Sequence, residues 1–238
     1  MPTAISHDKV RLNHQLLLSI PFEEMVGQIV HDQADPHHAV QGHNLTWATG
    51  MPIIPSQLGL GVFDGTSTYV DGLAADTVDM DFTTDDYSIA VWVYYQVLAT
   101  SQIVVGRYST HVSGWDCHLY SVNSTLSLRH NHSSLGTDHT TCYSTGWNTG
   151  QWNLIGISRQ GRYPKHFRNG VELEIFCSVG GLDDPDTCNS DLVVGVRGVT
   201  KGANWYSGYM RGLRVWDRAL EKWEHDQLFQ MERHWFGR

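Results

Sequence analysis

The sequence predicts an all-β domain, a sandwich or barrel of many short strands with one helix near its C-terminus. Composition is the first reason. Glycines number 23, aromatic residues make up 11% and charged residues only 17%, a mixture rich in strand and turn formers and poor in the Ala, Glu, Lys and Leu of helical proteins. Spacing is the second: runs of strand length recur along the chain, parted by the turn formers Asp64-Gly65, Asn169-Gly170, Gly180-Gly181 and Lys201-Gly202. Periodicity is the third. Tyr87–Tyr94 and Trp152–Ser158 alternate so that one apolar face turns inward and a mixed face outward.

Residues 1–15 are polar, lack alternation and read as an arm ahead of the first strand. Strands are expected at Leu16–Phe22, Gln28–Asp32, Leu60–Phe63, Thr68–Val70, Tyr87–Tyr95, Gln102–Tyr108, Trp115–Ser121 and Thr125–His130. Further strands are expected at Trp152–Arg159, Lys165–Arg168, Val171–Phe176, Asp191–Val196 and Tyr206–Asp217. The helix is expected at Ala219–Glu232, with acids near its start and with Leu220, Trp223, Gln227, Leu228 and Met231 close to one face. No linker or shift of composition divides the chain. The expected organisation is an arm at 1–15, one domain at 16–232 and an aromatic tail at 233–238.

With 25 acidic against 16 basic residues, the formal charge is −9. No basic run is present to neutralise phosphates, so nucleic acid is not an expected partner. Neither is a membrane, because no segment approaches the ~20 apolar residues of a spanning helix. Met1–His14 lacks a charged-then-apolar leader, which predicts synthesis in the cytoplasm. Cys117, Cys142, Cys177 and Cys188 have no C-x-x-C spacing, which argues against a zinc ribbon. Two readings stay open for them: four buried thiols, or two disulfides, with proximity favouring Cys117–Cys142 and Cys177–Cys188.

The order of the motifs carries a resemblance. Leu18-Ser19-Ile20-Pro21-Phe22-Glu23-Glu24 is followed by Gly61-Val62-Phe63-Asp64-Gly65 leading to Tyr69-Val70, then by Tyr87-Ser88-Ile89-Ala90-Val91-Trp92-Val93 and Gly114-Trp115. Gln151–Ile155, Arg168-Asn169-Gly170 and the closing Tyr206–Leu220 segment complete the series. In this order they resemble the laminin-G-like, concanavalin A-like jelly rolls over nearly the whole chain. The resemblance implies a two-sheet antiparallel jelly-roll sandwich with one short C-terminal helix, and it assigns Trp92, Trp115, Trp152 and Trp216 to packing. In the family, an acid in the closing strand often helps to hold a structural calcium. Arg211 stands there in this chain, which disfavours calcium. The expectation is that its guanidinium pairs with Glu23 or Glu24 in the ion's place.

Glucanases of the same fold carry acids spaced E-x-D-x-E on one strand, since retaining hydrolysis needs two carboxyls about 5 Å apart. No such triplet occurs. Asp79-Met80-Asp81 and Glu172-Leu173-Glu174 have same-face spacing, but the first falls in an acidic loop and the second flanks a turn. The expectation is a chain that is not an enzyme and uses no cofactor. For metal, His130 and His132 would share one face of a strand, with His118 and His139 near, against the plainer reading of exposed polar histidines. The acids of Asp183-Asp184-Pro185-Asp186 and of Asp76 to Asp86 lack the glycine-punctuated spacing of a calcium loop. For sugar, Trp147, Trp205 and Tyr206 lie beside loops and are the surface candidates.

Solitary domains of this kind resemble accessory proteins of tailed-phage virions. That resemblance implies a non-enzymatic virion structural or decoration protein, attached to the major capsid or another virion protein and, by analogy with decoration proteins, a homo-oligomer such as a trimer. His14, Trp235 and Phe236 are its candidate assembly contacts. The alternative is a carbohydrate-binding, lectin-like domain whose partner is a host surface glycan.

Overall fold

A computed structural model describes residues 12–35, 37–48, 59–97, 101–120, 124–133 and 138–238. Residues 1–11 of the expected arm and Ser121 of an expected strand lie outside them. The strands in chain order are β1 (Leu16–Ile20), β2 (Val40–His43), β3 (Thr46–Ala48), β4 (Leu60–Asp64), β5 (Tyr69–Gly72), β6 (Tyr87–Tyr95), β7 (Gln102–Ser109) and β8 (Ser113–Tyr120). They continue with β9 (Thr125–Asn131), β10 (His139–Ser144), β11 (Trp152–Arg159), β12 (Lys165–Arg168), β13 (Val171–Leu173), β14 (Phe176–Cys177), β15 (Leu192–Val194) and β16 (Ser207–Trp216). One sheet runs β13-β12-β11-β6-β16-β4-β3, with β1 also paired to β16; the other runs β14-β10-β9-β8-β7-β15-β5-β2. The result is the two-sheet antiparallel sandwich that the sequence predicts.

The alternation of β6 explains how the layers join. Tyr87, Ile89, Val91, Val93 and Tyr95 enter the core between the sheets, where they meet Trp115, Cys117, Leu126 and Leu128 of the facing sheet. Ala90 and Trp92 point the other way, into a second apolar cluster with Trp152, Leu154, Trp216, Leu228 and Phe236. The mixed outer face is therefore also covered, by helix α1 (Lys222–Glu232) and the 3-10 turn Arg233–Phe236 that follows it. The apolar area hidden on both faces of this sheet is the main favourable term in folding.

The helix is shorter than expected and turned differently. It starts at Lys222 because Glu221 and Glu224 form a reciprocal capping box. Its buried residues are Glu224, His225, Leu228 and Glu232, while Trp223 and Met231 are exposed. Polar anchors set this rotation. Glu232 accepts hydrogen bonds from Trp92 Nε1 at 2.7 Å and Arg214 Nη2 at 2.5 Å, and His225 stacks on Phe167 with centroids 4.0 Å apart.

Other expectations are corrected at the edges. Among the described residues, Gln28–Asp32 makes one bridge, Ile29 to Gln41, because Asp32 turns the chain by accepting the backbone N–H groups of Ser19, Ala34 and His38. The polar strand β10 gave no apolar signal; it forms against β9, in register from His139–Asn131 to Ser144–Leu126. It also carries the disulfide, which joins Cys142 to Cys177 across β10 and β14. Cys117 and Cys188 are buried free thiols. Pairing follows cross-strand register rather than nearness in sequence, so neither the two-disulfide nor the four-thiol reading holds.

Candidate binding site

Strands β7, β8 and β9 carry the site. Val105, Trp115, Cys117, Leu119, Leu126 and Leu128 enter the inter-sheet core, so the residues that alternate with them occupy the outer face of the sheet. Asp116 is the hub there. It is fully buried, with room supplied by Gly106 on β7, where a Cβ would come within 2.8 Å of the Asp116 Cβ. Asp116 Oδ2 accepts from Arg129 Nε at 2.8 Å and Asn131 Nδ2 at 3.1 Å, and Oδ1 lies 2.6 Å from His118 Nδ1. Burial works to raise its pKa, but Arg129 and His118 outweigh that and hold the carboxyl well below its ordinary value.

Beside this hub lies a cavity of about 190 Å³ lined by Tyr108, His111, His118, Tyr120, Arg129 and Arg197, among others. The Arg129 guanidinium sits 5.7 Å from the Tyr108 ring centre. Arg197 arrives from the turn after β15 and donates through Nε to Thr110 Oγ1 at 3.1 Å. Both arginines thus spend Nε on the protein. Among the described residues, their Nη nitrogens make no hydrogen bond to it. The Tyr108 hydroxyl is buried without a well-formed hydrogen bond, and burial pushes its pKa up. Two arginines and the exposed Tyr120 ring therefore line a small cavity.

At the rim, His111 turns toward Asp138 and His139. His111 Nδ1 is 2.8 Å from Asp138 Oδ2, and His139 Nδ1 is 2.6 Å from Asp138 Oδ1. The two imidazoles stand edge to face with centroids 4.9 Å apart.

A second, larger cavity of about 280 Å³ lies under α1, lined by Trp92, Arg211, Arg214, Glu232, Trp235 and others. Both of its arginines are paired with a carboxylate, although Arg214 Nη1 is buried without a partner among the described residues. Arg211 Nη2 donates to Glu23 Oε1 at 2.5 Å and Nη1 to the Gly59 carbonyl at 2.5 Å, while Arg214 pairs with Glu232. Glu24 is not part of this: its Oε1 accepts the His31 backbone N–H at 2.8 Å. The outer-face cavity is the better binding site because the Nη groups of both its arginines make no hydrogen bond to the described residues.

The residues singled out from the sequence mostly fall elsewhere. Trp147 is fully buried and donates to Ser144 Oγ at 3.1 Å. Tyr206 is fully buried, its hydroxyl 3.2 Å from the carbonyls of Tyr94 and Tyr209. Trp205 is half-buried against Tyr69, at 6.0 Å, and backs the cavity wall through its packing beside Ile103 and Tyr108. His130 is no exposed ligand: its Nδ1 donates to the Asp183 carbonyl and its Nε2 accepts from Tyr87 Oη, each at 2.8 Å. His132 is also fully buried. Alternation alone does not reveal this burial, because β9 is covered on both faces and His132 directly follows it. Phe236 is buried and stacks on Trp92 at 3.9 Å, and Trp235 is half-buried, so the aromatic end packs onto the sheet. His14 is exposed, and its carbonyl accepts from Arg218 Nε at 3.0 Å.

Among the acids weighed for catalysis or calcium, several are engaged structurally. Asp79 pairs with His38 at 3.0 Å, Asp81 accepts the Cys188 N–H at 2.8 Å, and Asp183 and Asp184 pair with Arg162 and Arg159. Glu172 and Glu174 are exposed. The site residues missed from the sequence divide in two. Asp116 and His118 on β8 and Arg129 on β9 are polar residues at alternate positions of apolar strands, a legible signal. Tyr108, at the end of β7, reads as a strand aromatic. His111 and Arg197 come from turns, where no periodicity marks them.

A family model of the concanavalin A-like lectin/glucanases superfamily matches residues 64–224. The chain belongs to that superfamily. Among curated proteins, no sequence matches this superfamily member. Solved structures similar to it include the binding domain of Paraclostridial Mosquitocidal Protein 1, with a TM-score of 0.71 and 13% identity over 92% of this chain and 53% of that one. The ligand binding domain of botulinum neurotoxin serotype D in complex with N-acetylneuraminic acid has a TM-score of 0.69 and 10% identity over 94% and 53%. The receptor binding domain of the botulinum neurotoxin C/D mosaic serotype gives 0.68 and 10% over 92% and 52%. These likenesses are of fold, and the chain spans about half the length of each of those chains. All three are binding domains.

Proposed function

We propose that this chain is a carbohydrate-binding, lectin-like domain, and that the cavity between Arg129 and Arg197 takes the acidic group of a glycan. One observation carries the reading: Arg129 and Arg197 line one small cavity, and among the described residues their Nη groups have no acceptor. A carboxylate accepts two parallel N–H donors from such a fork, the strongest neutral-pH pairing that arginine makes. The exposed Tyr120 ring offers an apolar face. At about 190 Å³ the cavity is below the size of a drug-sized site and suits one terminal sugar unit. The superfamily supports a lectin role, and a serotype D relative whose complex contains N-acetylneuraminic acid supports an acidic sugar.

The test is a glycan array probed with wild-type protein and with Arg197→Ala. The proposal expects signal concentrated on sialylated or uronic-acid glycans and lost in the variant. Signal confined to neutral glycans, or unchanged in the variant, counts against it.

A further inference from the structure

The cluster at the rim does more than close a turn. We infer that His111, Asp138 and His139 form a site for a single divalent transition-metal ion, zinc being the natural occupant, with one coordination position left open. This inference does not depend on the glycan reading.

The argument begins with convergence. One ligand atom from each residue lies within 4.8 Å of the other two, although His111 comes from the β7–β8 turn and the others from the start of β10. Ligand atoms about 3.3 Å apart surround a tetrahedral zinc ion with bonds near 2.0 Å. The present separations of 2.8 Å from His111 to Asp138 Oδ2 and 2.6 Å from His139 to Oδ1 need to widen by about 0.5 and about 0.7 Å to admit the ion. All three side chains are part-exposed, which gives the ion an entry path. Two imidazoles and one carboxylate are a donor set for zinc, copper or nickel rather than calcium or magnesium.

The ligands are also held from behind. His111 adopts a left-handed backbone, φ 60°, and its N–H donates to Asn131 Oδ1 at 3.1 Å. The Asp138 carbonyl accepts the His132 N–H at 3.2 Å, and His139 sits opposite Asn131 in the β10–β9 register. The end of β9 therefore fixes all three residues. Such support by the surrounding shell is what metal sites require. Each imidazole now presents Nδ1 to the carboxylate. Ligation through Nδ1 uses the tautomer that carries its proton on Nε2. His111 also lines the Arg129–Arg197 cavity, so the ion would sit at its edge.

The experiment is calorimetric titration of zinc chloride into the folded, full-length protein, set beside His111→Ala, His139→Ala and Asp138→Asn. The expected result is one zinc per chain in the wild type and about tenfold or more weaker binding in each variant, with melting temperatures in EDTA unchanged. Cobalt should give the visible absorption of a tetrahedral ion in the wild type alone. If an alanine variant fails to fold, Asp138→Asn, which keeps the side-chain shape and an acceptor, decides the matter. No zinc binding by the wild type overturns the inference. So does equal binding by the folded variants, which would place the metal on other histidines.

Discussion

Gly156 on β11 and His225 on α1 touch where no side chain could fit between them: a Cβ at position 156 would lie 2.4 Å from His225 Nδ1. The imidazole rests there on Phe167, with Nε2 2.8 Å from Ser158 Oγ. Helix α1 approaches the sheet closely because of that glycine. Gly156→Ala should push the helix outward and cost about 1–3 kcal/mol of stability. A urea denaturation series measures it, and an unchanged midpoint would show that α1 adapts freely.

Three buried histidines make the protein acid-sensitive. Burial, the leading cause for each, lowers the pKa of His130 to about 4 and those of His166 and His225 to about 3. Unfolded histidine titrates near 6.5, so between these values the unfolded chain binds more protons and stability rises with pH. The stability is complete above about pH 6.5 and is lost as pH falls towards the folded values, at about 2 kcal/mol per histidine by pH 5. His38 has the opposite sign. Hydrogen bonds to Asp32 and then Asp79 raise its pKa to about 9, so its contribution is full below 6.5 and is lost as pH rises through 9. Denaturant midpoints should therefore peak at about pH 7, where the three gains and the one loss balance; a flat profile from pH 5 to 9 contradicts this account.

The Cys142–Cys177 bond closes a loop of 35 residues. Loop-closure entropy predicts that reducing it, or replacing both cysteines with serine, costs about 4 kcal/mol. Melting with and without dithiothreitol measures this. The double variant should no longer respond to the reductant, since Cys117 and Cys188 are already free thiols; a remaining response would mean that those two thiols pair in solution.

Arg211 is 5% exposed and bonds to Glu23 and to the Gly59 carbonyl. We propose that it takes the place of a structural calcium. The wild-type melting temperature should then be the same in calcium and in EDTA, and Arg211→Ala should lose about 1–2 kcal/mol, discounted because Glu23 is half-exposed. Stabilisation of the wild type by calcium would refute the idea.

The strands were legible where burial and periodicity agree. β6, β11 and β12 begin and end where apolar alternation and turn formers put them. β3 and β10 are short or polar, so local pattern does not reveal them. The helix face was misread for a related reason: Glu232 and His225 are buried through bonds to Trp92 and Ser158, contacts that outweigh the apolar preference of Trp223 and Met231. The binding site was legible in part. Asp116, His118 and Arg129 stand as polar residues in apolar strands, whereas Arg197 and His111 reach it only through the fold. The tryptophans that suggested sugar stacking went into packing, as large aromatics tend to.

The central claim is that Arg129 and Arg197 bind an acidic sugar. The most direct measurement is calorimetry with sialyllactose and with lactose, on the wild type and on Arg197→Ala, a change that leaves the buried Asp116–Arg129 pair intact. The account predicts that the wild type binds sialyllactose at least about tenfold more tightly than lactose, the worth of one charge-assisted contact of about 1.4 kcal/mol. It also predicts that Arg197→Ala abolishes the difference. Equal affinity for both sugars, or a preference that survives the loss of Arg197, would contradict it.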